Sequence, residues 1–539
     1  MKRRVFLQAG LAAGLAAGLP GCRFDGRSLF RPDIRIARPG MDTGHALRDR
    51  RALPPPGQPV SGEIRTEVAI LGSGIAGLTA GWRLAREGFG DFVLVTGPEP
   101  FGNAAASRFG DVPCPTGAHY LPLPTAASIH VRTLLSEMKL ADDAFAAAPD
   151  YDESALVHAP ESRLWINGRW QEGVQPHHGI PPSEIAEQQR FYAYTESLKH
   201  HLGRDGRRLF EIPLALSSRD AEWRALDAEN FAHWLARNGY TAPSLLWYLD
   251  YCCRDDFGTG LAHTSAWAGL HYFASRTGRA RNGDDAAVLT WADGLNTPAR
   301  HLLAAVTPQR TLAGSVVRVR ERRDHVEALV WQNGRLIRIR ARCAVIAMPL
   351  FVAGRVVEGL AGDGFDPSIH TPEHAPWLVA NFAMDHFPSE KTGETLAWDN
   401  VVYQGKGLGY VVATHQLIRA ARPERTVFTA YHALADGEPR DVRRWLAGAS
   451  ADELYDLAAS DLAEVYGWKL ARNAGAVEIT LRGHAMPSPR PGFLGNAGTQ
   501  ALAAADGRLL FAHSDLSGYS VFEEAAWWGW RAAGRLLGT

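Results

Sequence analysis

The clearest pattern in the chain lies between residues 67 and 87, where a short apolar run is followed by a glycine-rich turn and then by apolar residues at helical spacing. The run 68–71 suits a strand that is buried in a parallel sheet. Leu78, Trp82 and Leu84 fall on one side of the helix that follows. The pattern therefore predicts a strand, a turn and a helix, in that order.

Three glycines stand between this strand and this helix at the G-x-G-x-x-G spacing. The first allows a tight turn, the second lets the backbone approach a pyrophosphate, and the third lets the helix pack closely on the strand. The helix N-terminus adds free N–H groups and a partial positive charge. The turn therefore predicts a dinucleotide site. Its predicted contacts are Gly72, Ser73, Gly74, Ile75, Ala76 and Gly77.

A second strand is predicted at residues 92–96. Folds that bind NAD or FAD usually carry Asp or Glu about 20 residues beyond the glycines, where the side chain binds the adenosine ribose. This chain has Thr96 there, with Glu99 three residues later. Either the hydroxyl group of Thr96 takes that place, or Glu99 folds back towards the ribose.

The rest of the pattern alternates between helical and strand-rich stretches. Residues 125–285 are largely helical in pattern, and strand signals return at 315–320, 326–331 and 336–340. An Asn-Gly turn predicts that the last two strands form a hairpin. A buried strand that is ended by a proline is predicted at 343–349. Helices and strands are mixed from 352 to 480.

Length and charge limit the class of protein. A chain of 539 residues is too long for one ordinary core, so two interleaved domains are expected. The formal net charge is -1, and the sequence has no extended basic stripe, so nucleic acid is not an expected partner. The cysteines and other candidate ligands match no metal-binding spacing. Cys114, Cys252, Cys253 and Cys343 are predicted to be mostly buried thiols.

Residues 1–22 have the pattern of a signal peptide, with a basic start and a short apolar stretch. Arg3-Arg4 followed by Phe6-Leu7 resembles a twin-arginine signal, which exports folded proteins. The Leu-Pro-Gly-Cys sequence that ends at Cys22 also resembles a lipoprotein cleavage box, so Cys22 is a candidate for lipidation and membrane attachment. A plain cleaved peptide is the alternative. A periplasmic location follows from either interpretation. Residues 23–62 are rich in Arg, Pro and Gly, which predicts a linker, either a tether or an extended arm over the surface.

These pieces, in this order, resemble the FAD-dependent amine oxidase superfamily, which also includes carotenoid desaturase-like enzymes. The resemblance implies an α/β fold in which a Rossmann-like FAD-binding domain of the GR2 type is interleaved with a mixed α+β substrate domain. It divides the chain into FAD-binding segments at 63–124, 286–350 and 481–539, and substrate-domain segments at 125–285 and 351–480.

The resemblance also implies further contacts with FAD. An acidic residue after a late buried strand would lie beside the ribityl or pyrophosphate group, and two valines would meet the adenine through their backbone. Ser520-x-x-Glu523 is a capping-box pattern, so we predict that the last helix begins there and that its N-terminus faces the pyrimidine edge of the flavin. The implied contacts are Thr96, Gly102, Asn103, Gly117, Ala118, Val316, Val317, Asp515, Val521 and Phe522.

Two departures from the family bear on the chemistry. Gly102-Asn103-Ala104 stands where Gly-Gly-Arg is common, so an arginine contact is missing. Many amine oxidases also place a lysine on a substrate-domain strand, where it holds a water against the flavin. The corresponding positions here are Ala380 and Asn381.

Three residues are candidates for catalysis: His119, Asp256 and Trp291. His119 lies in the segment 117–120, which aligns with the family segment that runs past the flavin ring, and its ordinary pKa suits proton transfer. A hydrogen-bonded loop histidine is the alternative. The Asp255–Asp256 pair can bind a cationic amine or cap a helix. Trp291 can form part of an aromatic wall, as can Trp398 and Tyr431, or belong to the core.

The leading hypothesis is an exported FAD-dependent oxidoreductase that removes a hydride from a small or amphiphilic substrate, with amines among the candidates. The electrons would pass to oxygen, to a membrane quinone or to another carrier. One alternative is an FAD-binding or assembly factor without turnover. The other is a desaturase-like enzyme that acts on an apolar substrate.

Overall fold

The computed structural model describes residues 31–49, 54, 57–157, 160–284, 287–390, 394–415 and 424–539. The predicted signal peptide at 1–22, with Cys22, lies outside the described residues. Within the described residues, no helix combines the length and the apolar character that crossing a bilayer requires.

The strands, in chain order, are β1 Asp33–Ala37, β2 Val60–Leu71, β3 Phe92–Val95, β4 Ala106–Phe109, β5 Val112–Pro115, β6 Tyr120–Pro122, β7 Ala141–Asp142, β8 Asp150–Tyr151, β9 Ser162–Ile166, β10 Arg169–Glu172, β11 Val288–Thr290, β12 Thr311–Leu312, β13 Ser315–Glu321, β14 Val326–Gln332, β15 Arg335–Ile346, β16 His374–Met384, β17 Asp399–Val402, β18 Tyr410–Val412, β19 Thr426–Ala433, β20 Ala474–Pro487 and β21 Leu509–Phe511.

The α-helices are α1 Met41–Arg48, α2 Ile75–Arg86, α3 Ile129–Glu137, α4 Pro182–Leu198, α5 Ala221–Arg224, α6 Phe231–Arg237, α7 Pro243–Phe257, α8 Ala266–Ser275, α9 Asn296–Ala304, α10 Leu350–Val356, α11 Pro367–His370, α12 Pro439–Gly448, α13 Ala451–Ala458, α14 Ser460–Tyr466, α15 Trp468–Asn473, α16 Ala497–Ala504 and α17 Phe522–Leu537. Short 3-10 helices lie at Gly102–Ala104, Leu214–Leu216, Ala225–Ala228, Pro308–Arg310, Phe493–Gly495 and Ser514–Leu516.

A seven-stranded sheet carries the glycine turn. Its order is β12-β3-β2-β15-β14-β13, and β21 also pairs with β15. Strands β3, β2, β15 and β21 are parallel, as a Rossmann-like core requires. Helices α2, α9 and α17 cover this sheet, since α2 contacts both of the others. The strand, turn and helix predicted between residues 67 and 87 are confirmed.

Strand β15 differs from the prediction of two separate strands at 336–340 and 343–349. It is continuous from Arg335 to Ile346. Its first half pairs antiparallel with β14, which confirms the hairpin, and its second half pairs parallel with β21. Asn333 and Gly334 form the turn with φ of 46° and 81°, the left-handed values that a two-residue hairpin turn requires. The central strand continues without a break because β2 pairs with it over nearly its whole length.

An eight-stranded sheet forms the second layer, in the order β1-β20-β16-β19-β18-β17-β9-β10. Strands β9 and β10 belong to it although they lie in the stretch predicted to be largely helical. Strand β20 runs past the predicted boundary at residue 480 and ends at Pro487. Helices α4, α6, α7 and α8 pack around a separate aromatic core.

The predicted linker at 23–62 is wrong for part of its length. Asp33–Ala37 is strand β1, which pairs in parallel with β20, and Met41–Arg48 is helix α1. A strand forms here because Ile34 and Ile36 alternate with polar residues and pack together against the core beneath the eight-stranded sheet.

Candidate cofactor and active site

The three turn glycines have different surroundings. A Cβ atom on Gly72, whose φ is 127°, would lie 2.2 Å from the carbonyl oxygen of Ala347, and one on Gly77 would lie 1.9 Å from the carbonyl oxygen of Gly72. A Cβ on Gly74 would meet nothing within 4 Å. The first and third glycines therefore permit close packing, while the second borders open space in which a phosphate group has room.

Helix α2 begins at this open space. Gly74 is its N-cap, with extended backbone and no side-chain cap. The first N–H groups of a helix have no partner within the helix, so an uncapped start offers them to an anion. The hydroxyl group of Ser73 donates to the carbonyl oxygen of Thr96 at 2.7 Å, which holds the ends of β2 and β3 together.

Four other predicted contact residues lie beside the turn. Gly102 has a φ of 56°, and a Cβ there would lie 3.7 Å from Cα of Gly74. The N–H of Ala118 donates to the carbonyl oxygen of Asn103 at 2.7 Å, and a Cβ on Gly117 would lie 2.3 Å from that same oxygen. The structure thus brings Gly102, Asn103, Gly117 and Ala118 together against the glycine turn.

Arg482 of β20 holds this loop from the second domain, and the sequence analysis missed it. Its guanidinium group donates to both carboxylate oxygens of Glu99, at 2.9 and 3.1 Å, and to Thr116 and Asn103. Its side chain is only 7% exposed. Glu99 is therefore engaged by Arg482 and does not fold back towards a ribose, which leaves Thr96 as the predicted contact. The Thr96 hydroxyl group donates to the carbonyl oxygen of Gly97 at 3.1 Å.

The predicted adenine contacts lie on β13. Val316 pairs with Val330 and Arg318 pairs with Leu329, so Val317 is an extra residue in a β-bulge. A bulged residue has no partner in the ladder, and its backbone groups are free to bind a ligand. This geometry suits the role implied for Val316 and Val317.

Asp515 is fully buried and has three partners. The backbone N–H of Leu350 donates to its carboxylate at 2.8 Å, and His374 Nε2 and His513 Nδ1 each lie 3.1 Å from the other carboxylate oxygen. Burial alone would raise the pKa of Asp515, but the charges of His513 and His374 hold it well below its ordinary value. The carboxylate is therefore a fixed negative charge. His374 lies 141 residues before Asp515, so no local signal in the sequence pointed to it.

The chain's tail does reach the glycine turn. Ala347 follows β15 and its N–H donates to the carbonyl oxygen of Leu71, while Leu350 binds Asp515. Gly529 of α17 packs so closely on helix α2 that a Cβ there would lie 2.0 Å from the carbonyl oxygen of Ala76. The two halves of the predicted cofactor site therefore belong to one packed unit.

The predicted capping box of the last helix is wrong. Helix α17 begins at Phe522 with Val521 as an uncapped N-cap. The hydroxyl group of Ser520 instead accepts a hydrogen bond from Ser514 at 3.2 Å, and Glu523 is buried. Ser520 does not cap the helix because its hydroxyl group is bonded to the preceding turn, Ser514–Leu516.

An aromatic cluster surrounds His119. Its ring is stacked on Tyr431 with a centroid distance of 4.3 Å, and the rings of Tyr120 and Trp398 lie 5.0 and 5.5 Å away. Burial lowers the pKa of His119 to about 3, so its imidazole is neutral near pH 7. This corrects the expectation that His119 has the ordinary pKa of a proton-transfer group.

The acidic pair at the end of α7 is divided between two roles. Asp256 forms a buried ion pair with Arg276, with 2.5 Å between nitrogen and oxygen. Asp255 instead accepts a hydrogen bond from the hydroxyl group of Tyr120 at 3.3 Å. Asp256 was the predicted catalytic residue, but its charge is already compensated, so the geometry favours Asp255 as the residue that faces the aromatic cluster.

Asp255 belongs to a group of carboxylates with raised pKa values. Burial, followed by the charge of Asp256, raises the pKa of Asp255 to about 7. Burial and the charges of Asp255 and Glu161 raise the pKa of Asp399 well above its ordinary value. Burial and the charge of Asp284 raise the pKa of Glu161 to about 7. The group lacks sufficient compensating positive charge, which a cationic ligand would provide.

Trp291 directly follows Thr290, which contacts this cluster. Thr290 pairs with Tyr120 across β11 and β6, and its hydroxyl group donates to the carbonyl oxygen of His119 at 2.6 Å. The side chain of Trp291 is partly buried against the core of the glycine-turn domain. Its catalytic role stays a prediction.

The strand position where many amine oxidases carry lysine has a structural role here. The side-chain amide of Asn381 donates to the carbonyl oxygen of Pro115 at 2.8 Å and accepts a hydrogen bond from Thr429 at 2.7 Å. Ala380 is fully buried. Neither side chain is available to hold a water for the reaction.

Two cavities of about 310 and 180 Å³ share Ser488 and Arg490 as lining residues. The larger one lies among Gly258, His263 and Glu438, and the smaller one ends at Asp515 and Gly518. The two cavities are therefore neighbours at Ser488 and Arg490.

Two other sequence expectations can be compared with the described residues. Cys114, Cys252, Cys253 and Cys343 are free and buried, as predicted. Among the described residues, no three His, Cys, Asp or Glu side chains are grouped so that they could hold a metal ion.

Comparison with known proteins agrees with this geometry. Residues 70–138 match a family described as NAD(P)-binding Rossmann-like domain. A double mutant of putrescine oxidase superimposes with a TM-score of 0.63 at 15% identity, over 88% of this chain and 100% of that chain. The chain has the fold of the FAD-dependent amine oxidases. The predicted fold class, a Rossmann-like domain combined with a second mixed domain, is confirmed.

Two other solved structures show how widely this fold is used. Cyclohexylamine oxidase from Brevibacterium oxydans has a TM-score of 0.63 at 16% identity, over 88% of this chain and 99% of that chain. A fatty acid isomerase from P. acnes has a TM-score of 0.55 at 14% identity, over 87% of this chain and 98% of that chain. No curated protein matches the sequence. Likeness at these identities shows the fold alone, so the reaction has to be argued from the site.

Proposed function

We propose that the protein is an exported FAD-dependent oxidoreductase that removes a hydride from a small or amphiphilic substrate, with a cationic amine as the favoured class. One observation carries the proposal. The loop beside the uncapped start of α2 at Gly74 leads into the acidic and aromatic cluster around His119 and Asp255, because the hydroxyl group of Tyr431, which stacks on His119, donates to the carbonyl oxygen of Gly117 at 3.1 Å. The first suits a dinucleotide and the second suits a substrate.

The site fits FAD by its own chemistry. The space beside Gly74 would receive the pyrophosphate, and Thr96, Val316 and Val317 would hold the adenosine end. Bound FAD would supply the acceptor for two electrons. The other residues expected to bind it are Gly72, Ser73, Ile75, Ala76, Gly77, Gly102, Asn103, Gly117, Ala118, Asp515, Val521 and Phe522.

The amine preference is supported by Asp255. Its carboxyl group is held by Tyr120 and faces rings that can pack against an ammonium group. A cation beside Asp255 would lower the raised pKa of this carboxyl group and stabilise its ionised form. His119 would act as a neutral ring that positions the substrate, since burial keeps it uncharged.

A binding or assembly factor without turnover is the second candidate. Asn381 is fixed by Pro115 and Thr429 where many amine oxidases carry a lysine, and this observation favours it. The desaturase-like alternative needs an apolar cavity, and the carboxylates around Asp255 argue against one.

Export by a twin-arginine signal, a periplasmic location and lipidation of Cys22 are supported by the sequence pattern of residues 1–22. Oxygen, a membrane quinone or another carrier would accept the electrons.

The test is to purify the full chain from the periplasm, add FAD and record the visible absorbance. Bound flavin bands, followed by their bleaching when amines are added without oxygen, are the expected result. Flavin bands without bleaching by any amine or alcohol, and without reoxidation by oxygen or quinones after photoreduction, would favour the binding factor. A protein that acquires no flavin bands would overturn both.

A further inference from the structure

The N-terminus of α17 holds a buried carboxyl group that the proposed function does not use. The helix has 16 residues and no side-chain cap. Glu523, in its first turn, is 2% exposed, and its Oε2 atom has no hydrogen-bond partner. A buried oxygen without a hydrogen-bond partner destabilises the fold unless a ligand satisfies it. The helix start and the orphan oxygen together therefore indicate a ligand site.

The next residue shows that the orphan oxygen is not a general property of this turn. Glu524 accepts hydrogen bonds from the N–H of Leu214 at 2.6 Å and from the hydroxyl groups of Ser517 and Tyr519 at 2.5 and 2.9 Å. Its role in the fold is accounted for by these contacts. Glu523 has no comparable set of donors, although the two residues are equally buried.

The charges around Glu523 leave its proton weakly held near pH 7. Burial raises the pKa of Glu523 to about 7, its own backbone N–H and the positive charge of Arg276 oppose that shift, and the charges of Glu524 and Asp256 add to it. From α3, His130 hydrogen-bonds the Glu523 carbonyl oxygen through Nε2 at 2.8 Å. The phenols of Tyr120 and Tyr519 also lie within electrostatic range.

We infer that the carboxyl group of Glu523 contacts the flavin ring of bound FAD at the N-terminus of α17 and takes up a proton when that ring is reduced. The inference rests on the proposed function. The N–H groups at a helix start are donors, so the ligand must present acceptor atoms, as the carbonyl edge of a flavin does. Negative charge that develops on the ring would then raise the proton affinity of the adjacent carboxyl group.

In total, reduction of the bound FAD and protonation of Glu523 take up two electrons and two protons. Two electrons and one proton convert FAD into its anionic reduced form, and Glu523 takes the second proton from solvent. The electrons come from the substrate or, in the experiment, from photoreduction with a sacrificial donor. For each proton that accompanies a two-electron reduction, the equilibrium constant changes tenfold per pH unit. The reduction potential then changes by about 30 mV per pH unit.

The experiment measures the reduction potential of the bound flavin against pH, between pH 7 and 9, in the FAD-loaded full chain. The wild type is compared with Glu523→Gln, which keeps the shape but cannot titrate. The matched control is Glu87→Gln at the exposed end of α2. We expect the variant to lose about 30 mV per pH unit of slope, and the control to keep the wild-type slope.

A second readout does not depend on any variant. Proton uptake on photoreduction of the wild type, measured with a pH indicator in weak buffer at pH 7.5, is expected to exceed one proton per FAD. Equal slopes in wild type and Glu523→Gln, or uptake of one proton only, would refute the inference while leaving the proposed function intact. A wild-type chain that binds no FAD would end both, and the absorbance spectrum distinguishes that case.

Discussion

At the scale of single residues, the site depends on charged groups that are buried with their partners. Arg482 is the clearest example, since all of its guanidinium contacts lie on the loop and strand around Glu99, Asn103 and Thr116. The arginine expected after the second strand is missing from the sequence. Arg482 brings a positive charge to the same loop from β20, and it does so as a fixed structural clamp.

We therefore expect Arg482→Gln to be strongly destabilising, because Glu99 would keep a largely buried charge without its partner. Loss of one member of a buried pair costs about 3 kcal/mol. Urea denaturation of the purified chain measures the free energy of unfolding. Arg86→Gln is the control, because its pair with Glu137 is exposed and worth less than about 1 kcal/mol. Equal losses in the two variants would contradict the clamp role of Arg482.

At the scale of elements, the sequence predicted those structures whose conformation is set by residues close together in the chain. The glycine turn and the Asn-Gly hairpin were predictable because their backbone conformations depend on the residues within them. Strand β1 was missed because its pairing partner lies more than 400 residues later in β20. The contacts of Arg482 with Glu99 and of His374 with Asp515 span 383 and 141 residues, and no local pattern reports them.

The capping box shows how a correct signal can be overridden. Ser520 and Glu523 have the right spacing, but Ser514 engages the serine hydroxyl group and Glu523 lies in the interior. In the same way, the Asp255–Asp256 pair was found by sequence, but only the position of Arg276 shows which carboxyl group is compensated. Sequence therefore indicates candidate groups, and tertiary contacts decide their roles.

The start of α2 offers a prediction that separates packing from ligand binding. Gly77→Ala would force the new Cβ to within 1.9 Å of the Gly72 carbonyl oxygen, so strand and helix must move apart. We expect a loss of about 3 kcal/mol in unfolding free energy. Gly74→Ala meets open space and adopts its backbone angles without strain, so its cost stays within about 1 kcal/mol.

The same pair tests the cofactor position. Gly74→Ala is expected to fold normally but to bind FAD at least tenfold more weakly, because the methyl group occupies space reserved for the pyrophosphate. Urea denaturation and titration of FAD by fluorescence quenching measure the two effects separately. A Gly74→Ala protein with wild-type FAD affinity would show that the pyrophosphate lies elsewhere.

At the scale of the whole molecule, buried titratable groups of two kinds oppose each other as the pH changes. The folded state depresses the pKa of His119 and His271 to about 3, so it binds fewer protons than the unfolded chain between pH 3 and 6.5. Stability contributed by these histidines rises with pH over that range. The raised pKa values of Asp255, Glu161 and Glu523, each about 7, have the opposite effect from about pH 4 upwards.

Above pH 6.5 the histidines lose their remaining protons in the unfolded chain, so their effect fades while the carboxyl groups continue to act. The folded protein then holds protons that the unfolded chain has already released, so the free energy of unfolding must fall as the pH rises, by about 1.4 kcal/mol per pH unit for each proton of difference.

We expect urea denaturation of the FAD-free chain to show that the free energy of unfolding declines between pH 6.5 and 8. Asp399→Asn removes the carboxyl group whose pKa is raised well above its ordinary value and should flatten that decline. Asp33→Asn, on the exposed edge strand β1, should leave it unchanged. A stability that increases from pH 6.5 to 8 would show that these acids are not protonated together in the folded state, and that a compensating positive charge reaches them without a ligand.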